Sequence, residues 1–189
     1  GAGVPPYEGR FNHDHLFATL LRLSPYTRVD PPDLRRRVFL LAAELHRQPE
    51  LHLHAALAED QTHLLVDDPL GVARDFFGLA VEKGNLTRRD GGYRRHRKSS
   101  AAAYRFHRAR IENPLEVMAN AVEPLRSFQR TARRLAILPA FWIRRRVRDR
   151  LVREAVEEFR ADYRQHHIEG ESKAMAVGAP FLVEGRSDR

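Results

Sequence analysis

Apolar residues recur along most of this chain every three or four positions, the period of a helix with one buried face. Leu16, Phe17, Leu20 and Leu21 share one side of a first helix, about Asp14 to Leu23, which Ser24-Pro25 breaks. Leu34, Val38, Leu41 and Leu45 repeat the spacing behind Asp30-Pro31-Pro32-Asp33. An aspartate N-cap with proline in the first turn is a helix start, so the pattern predicts a helix over 31–47. A third helix, roughly 50–59, carries Leu51, Leu53 and Leu57, and His63-Leu64-Leu65-Val66 reads as a short strand or turn. Asp68-Pro69 repeats the start signal ahead of Leu70, Ala73, Phe76, Phe77 and Ala80, with Gly84 as the closing glycine. Beyond it, Asp90-Gly91 sits between two short extended runs, which predicts a hairpin over 85–94.

After a Gly/Pro-rich lead-in over residues 1–12 and a polar link over 95–103, the second half is again helical in period. Asn113-Pro114-Leu115-Glu116 is a cap signal, with Leu115, Met118 and Val122 on one face. Pro124 and Pro139 bracket a helix carrying Leu125, Phe128, Ala132 and Leu135. The longest helix, about 140–166, has a seam of Ile143, Val147, Leu151, Ala155 and Phe159, with Val152, Val156 and Tyr163 beside it. Its other face holds Arg144, Arg145, Arg146, Arg148, Arg150 and Arg153. Lys173 to Val183 reads as a strand pair or extended tail. The expected protein is mainly α with a small β-hairpin. Residues 1–98 form a winged-helix-like region, and residues 99–189 a helical region ending in a short extended segment.

Charge sharpens this picture. Lys+Arg number 33 against 25 Asp+Glu, a net +8, and the only lysines are Lys83, Lys98 and Lys173. Guanidinium forks match phosphate and carboxylate, so the expected partner is acidic, either an anionic lipid surface or an acidic protein. Trp142 with Arg144, Arg145, Arg146 and Arg148 has the aromatic anchor and basic face that suit such a surface. The plainer alternative is an ordinary bundle helix with a solvated arginine face. The hairpin arginines Arg88, Arg89, Arg94 and Arg95, with Arg97, offer a second reading as a nucleic-acid-binding wing. Against it, the presumptive recognition helix over 69–83 has only Arg74 and Lys83 as basic residues. There is no cysteine, and no apolar run approaches the ~20 residues of a membrane span. The expected location is cytoplasmic, peripheral at the inner membrane.

Candidate chemistry is sparse. His13-Asp14-His15, His52-Leu53-His54 and His166-His167 suggest metal ligands, but on a helix residues i and i+2 diverge, so no metal site is assigned. His63 and Asp68 have the His-x4-Asp spacing of glycerolipid acyltransferases. Thr62, however, stands where that family has Asn, and Asp68 is accounted for as a helix cap. Arg160 and His166 match the spacing of some helical ribonucleases, a coincidence expected with this many arginines. There is no Gly-x-Ser-x-Gly elbow and no phosphate-cradling Gly-Lys-Ser/Thr loop. No catalytic residue and no cofactor is assigned to this chain.

A resemblance adds to this reading. From Phe17 to Arg110 the elements are ordered like the helical region after the catalytic domain of bacterial glycerol-3-phosphate acyltransferases, with Tyr104-Arg105 leading a final helix. The stretch from Arg110 to Leu125, with Asn113-Pro114-Leu115-Glu116-Val117-Met118, is similar to linkers that join such an acyltransferase to an α/β-hydrolase. Val177-Gly-Ala-Pro-Phe-Leu-Val183 resembles the entry strand of such a hydrolase. Glu184-Gly185-Arg186-Ser187 is similar to an acyltransferase block but lacks one of its residues. The resemblance implies a non-catalytic accessory or docking region of a glycerolipid acyltransferase or hydrolase system, its chemistry supplied by residues elsewhere. The alternative is a nucleic-acid-binding winged-helix regulator.

Overall fold

The computed structural model describes residues 11–48, 51, 53–96 and 122–187, with side chains over 126–175 of the last stretch. The described residues form six α-helices: α1 (His13–Leu23), α2 (Pro31–Leu45), α3 (Ala55–Ala58), α4 (Val72–Glu82), α5 (Val122–Ile137) and α6 (Ala140–Ser187). Three strands, β1 (Arg28–Val29), β2 (Leu86–Arg89) and β3 (Gly92–Arg95), make one antiparallel sheet in the order β1-β3-β2. Most of the lead-in, the Tyr104-Arg105 helix, Arg97 and the Asn113 cap with Leu115 and Met118 lie outside the described residues.

Local chemistry sets the helix starts. The Asn12 side chain accepts the His15 amide at 3.1 Å, and the His15 ring accepts the Asn12 amide at 3.0 Å, a reciprocal cap that opens α1. Asp30 caps α2 through the Asp33 amide, with proline in the first turn as expected. Asp68 is displaced from its expected role. The helix begins at Val72 rather than Pro69, and the Asp68 carboxylate reaches forward to the Arg74 amide at 2.9 Å. The carboxylate still satisfies an orphan amide of the first turn, from six residues away.

Two other elements differ from expectation. The helix expected over 50–59 is only α3, because His54 is its N-cap, while Leu53 pairs with Phe11 in an isolated bridge. Strand β1, too short to show a period, pairs Arg28 with Arg94 and Val29 with Tyr93. The hairpin itself stands where expected, and Asp90 and Gly91 both take positive φ, 41° and 76°. A Cβ on Gly92 would lie 2.8 Å from the Val29 carbonyl, so only glycine lets β1 close on the hairpin.

The chain divides into two compact units, Gly1–Arg146 and Val147–Arg189. The boundary expected near residue 98 borders residues 97–121, which lie outside the described residues. Within the first unit α5 packs across α1 and α2, placing Phe128 5.0 Å from Phe11 ring to ring. The core gathers Leu16, Phe17, Leu20, Leu41, Phe76, Ala132 and Leu135, all buried. Phe17 stacks on Phe76 at 5.1 Å, and Phe77 stacks on Tyr93 at 4.6 Å, tying α4 to α1 and to the sheet.

The second unit is helix alone. Backbone from Lys173 to Val183, expected to be extended, continues α6 as far as Ser187. Ala174, Met175 and Ala176 favour helix, whereas Gly178 and Pro180 later in the stretch oppose it, so composition alone does not account for the continuation. No helix among the described residues is long and apolar enough to cross a membrane.

Candidate anion-docking surface

The arginines fall into two populations. Three are buried and bonded to backbone carbonyls. Arg37 binds Asp33 at 2.7 Å and donates to the carbonyls of Leu135 at 2.7 Å and Ala136 at 3.1 Å. It therefore closes the carbonyl end of α5, where the helix dipole favours a cation. Arg95 does the same for α1, donating to the Leu21 and Ser24 carbonyls, each at 2.6 Å. Arg35 donates to the Leu64 carbonyl at 3.2 Å. Arg95, expected among the phosphate-touching wing residues, is thus a structural group with its guanidinium turned inward. The Tyr26 hydroxyl adds a bond to the Ile137 carbonyl at 2.8 Å.

The second population faces outward. Ile143 at the start of α6 is buried, which leaves Phe141 and Trp142 on the outer side, 58% and 45% exposed. Their rings meet edge to face at 5.4 Å, and the Arg145 guanidinium lies over the indole at 5.5 Å. The spacing explains this: Arg145 follows Phe141 by four residues and Trp142 by three, so all three share one face. Arg144 and Arg146 flank them, both exposed. Arg148, the remaining expected residue, belongs to the second unit, where it lies 3.9 Å from Asp149.

The basic surface extends further than sequence reasoning found. Helix α5 buries Phe128, Ala132, Leu135 and Ala136 and exposes Arg126, Arg130, Arg133 and Arg134. From Pro124 to Arg146 the chain has seven arginines and neither aspartate nor glutamate. That carboxylate-free run was the available signal.

The sheet presents a separate group. Arg28 sits directly across from Arg94 in the β1–β3 register. With Thr27, Arg89, Asp90 and Tyr93 they line an open cleft of about 530 Å³. Like charges on opposed strand positions repel, so this arrangement gains from an anion. Arg88 lies over the Tyr93 ring at 5.7 Å. Arg28 was missed because β1 was.

The histidines form no comparable site. His13 Nε2 donates to Gln61 Oε1 at 2.6 Å, and Gln61 Nε2 donates to the carbonyls of Ala56 and Glu59, each at 2.8 Å. His63 stands edge-on to His13 at 5.9 Å. Burial lowers the His13 pKa, opposed by the Gln61 bond and assisted by His63. His63 Nδ1 and Asp68 Oδ1 are both buried without a partner, so the His-x4-Asp pair is not hydrogen-bonded. His166 Nδ1 lies 2.9 Å from the Asp162 carbonyl, one turn earlier in its own helix. Among the described residues no group of three His, Asp or Glu is placed to hold a metal ion.

Comparison with protein-family models, with curated proteins and with solved structures finds no match to this chain.

Proposed function

We propose that this chain is a non-catalytic docking module that binds an anionic lipid surface through α5 and the start of α6. On the resemblance noted above, it serves a glycerolipid acyltransferase or hydrolase system whose catalytic residues lie elsewhere. The observation that carries the reading is the exposed Phe141–Trp142 pair set within seven arginines and no carboxylate. Aromatic rings partition into the headgroup boundary, and each nearby arginine adds about 1 kcal/mol at an anionic leaflet. The coupling of an apolar anchor to a one-sign field favours lipid over an acidic protein, where the rings would need a shaped pocket.

Co-sedimentation with phosphatidylserine-containing and phosphatidylcholine vesicles, at low and high salt, tests this. The expected result is binding to the anionic vesicles alone, weakened by salt. Replacing Arg144, Arg145 and Arg146 together by alanine should cost about 3 kcal/mol, on the order of a hundredfold. Equal binding to both vesicle types, or no effect of the triple substitution, would overturn the reading.

A second reading rests on the sheet. The β1-β3-β2 order is that of a winged helix, and Arg28, Arg89 and Arg94 ring the cleft on its wing. The reading is the weaker one because exposed charge on α4 is balanced, Arg74 and Lys83 against Asp75 and Glu82. Residues 46–71 also separate α2 from α4, far longer than a helix-turn-helix connection. Duplex DNA that binds more tightly than vesicles, and is lost with Arg89→Ala and Arg94→Ala, would put this reading first.

A further inference from the structure

Helix α6 beyond Arg146 is a unit by itself, and it displays an apolar stripe that nothing in that unit covers. Val152, Val156, Phe159 and Tyr163 are 58%, 42%, 69% and 60% exposed. Their spacing is four, three, four, which keeps them on one side of the helix over about three turns. That spacing reads the same in both directions. A second helix of the same sequence, laid antiparallel, sets Val152 against Tyr163 and Val156 against Phe159, then repeats both contacts by symmetry. Two-fold pairing requires such a self-complementary surface.

Charge specifies the same partner and direction. Residues 148–153 hold Arg148, Arg150 and Arg153 against Asp149 alone. Residues 154–171 hold Glu154, Glu157, Glu158, Asp162, Glu169 and Glu171 against Arg160 and Arg164. Antiparallel pairing lays each basic end beside the other copy's acidic end, with Arg148 facing Glu169 on one flank. Parallel pairing sets basic against basic. An anionic membrane is disfavoured for this stripe, because residues 154–171 carry six carboxylates against two arginines.

We infer that Val147–Glu171 is a self-pairing surface, joining two copies of this chain as an antiparallel helical pair across Val152, Val156, Phe159 and Tyr163. The same register brings Arg153 towards Arg160 of the second copy, a like-charge contact that limits the strength of the pair. It goes beyond the lipid-docking reading and does not depend on it.

Sedimentation equilibrium of the whole chain, at low and high salt, reads the outcome. The expected state is a dimer that weakens as salt rises. Phe159→Asp should leave a monomer at every concentration, with the helical circular dichroism of the first unit retained. Arg148→Glu and Glu169→Arg should each weaken the dimer about fivefold, since each alters two symmetric pairs. The double substitution should restore it, and Arg153→Glu should tighten it. A monomeric wild-type chain at low salt overturns the inference. So does a dimer indifferent to Phe159→Asp, or a double substitution as weak as the singles. Vesicle binding lost with Phe159→Asp in a monomeric chain would assign the stripe to lipid instead.

Discussion

Val38 and Leu41 in α2 and Val152 and Phe159 in α6 sit on equally regular helical stripes. The first two are fully buried, while Val152 is 58% and Phe159 69% exposed. In the first unit, α1, α5 and the 3-10 turn at Thr62–Leu65 fold back on α2 and supply the facing surface. Among its described residues the second unit holds one helix, so no second element within that unit supplies a facing surface. Periodicity thus tells which side of a helix is oily, and topology decides whether that side becomes core or contact surface. Arginine divides in the same way. Arg37 and Arg95 satisfy helix carbonyls in the interior, whereas Arg144, Arg145 and Arg146 remain exposed around an aromatic pair.

The sharpest way to break this comparison is to truncate one phenylalanine from each region. Phe17→Ala removes a ring stacked on Phe76 in the core, and urea unfolding should show a loss of about 3–5 kcal/mol. Phe159→Ala should leave the unfolding of the first unit within about 0.5 kcal/mol of the parent. A comparable loss at both positions would mean that α6 has a buried face after all.

Next in size is Arg37→Ala. Arg37 is 4% exposed and holds Asp33 and two carbonyls at the end of α5. Its loss should cost about 2–4 kcal/mol by the same assay, because the carbonyls and the carboxylate lose their donors together. Arg145→Ala, on the exposed face, should cost less than about 0.5 kcal/mol of stability. Equal costs would remove the distinction between the buried and the exposed arginines.

The smallest expected effect is on pH. Burial lowers the His13 pKa in the folded state, so folding favours the neutral ring. Below the ordinary histidine pKa of about 6.5 the unfolded chain takes up a proton that the folded chain resists. This contribution is present at pH 7 and above, and is lost as the pH falls from about 6.5 towards the folded-state value. Melting temperatures should decline over that interval, and His13→Asn should flatten the decline. An unchanged slope in the variant would assign the acid sensitivity to another group.

Much of the first unit was legible because its signals are local. Asp30 with Pro31 starts α2, Asp90-Gly91 turns the hairpin, and Phe76 and Phe77 mark the buried face of α4. What escaped depends on distant partners. Two-residue β1 has no period to detect, and it exists because β3 pairs with it. Arg95 looks like its neighbour Arg94 in sequence, and only the position of the Leu21 and Ser24 carbonyls separates their roles. The packing of α5 on α1 and α2 likewise has no local signal, since the contact joins residues about a hundred positions apart. The exposed face of Trp142 and Arg144–Arg146 was legible in the helical spacing, whereas the exposure of Arg126, Arg133 and Arg134 follows only from which face α5 buries.

Trp142 is the only tryptophan in the chain, so its emission reports directly on the proposed contact. Titrating phosphatidylserine-containing vesicles into the intact protein should shift that emission to the blue and shield it from an aqueous quencher. Neutral vesicles should do neither. An indole that stays as accessible beside the anionic membrane as in buffer would contradict the docking role assigned to this face.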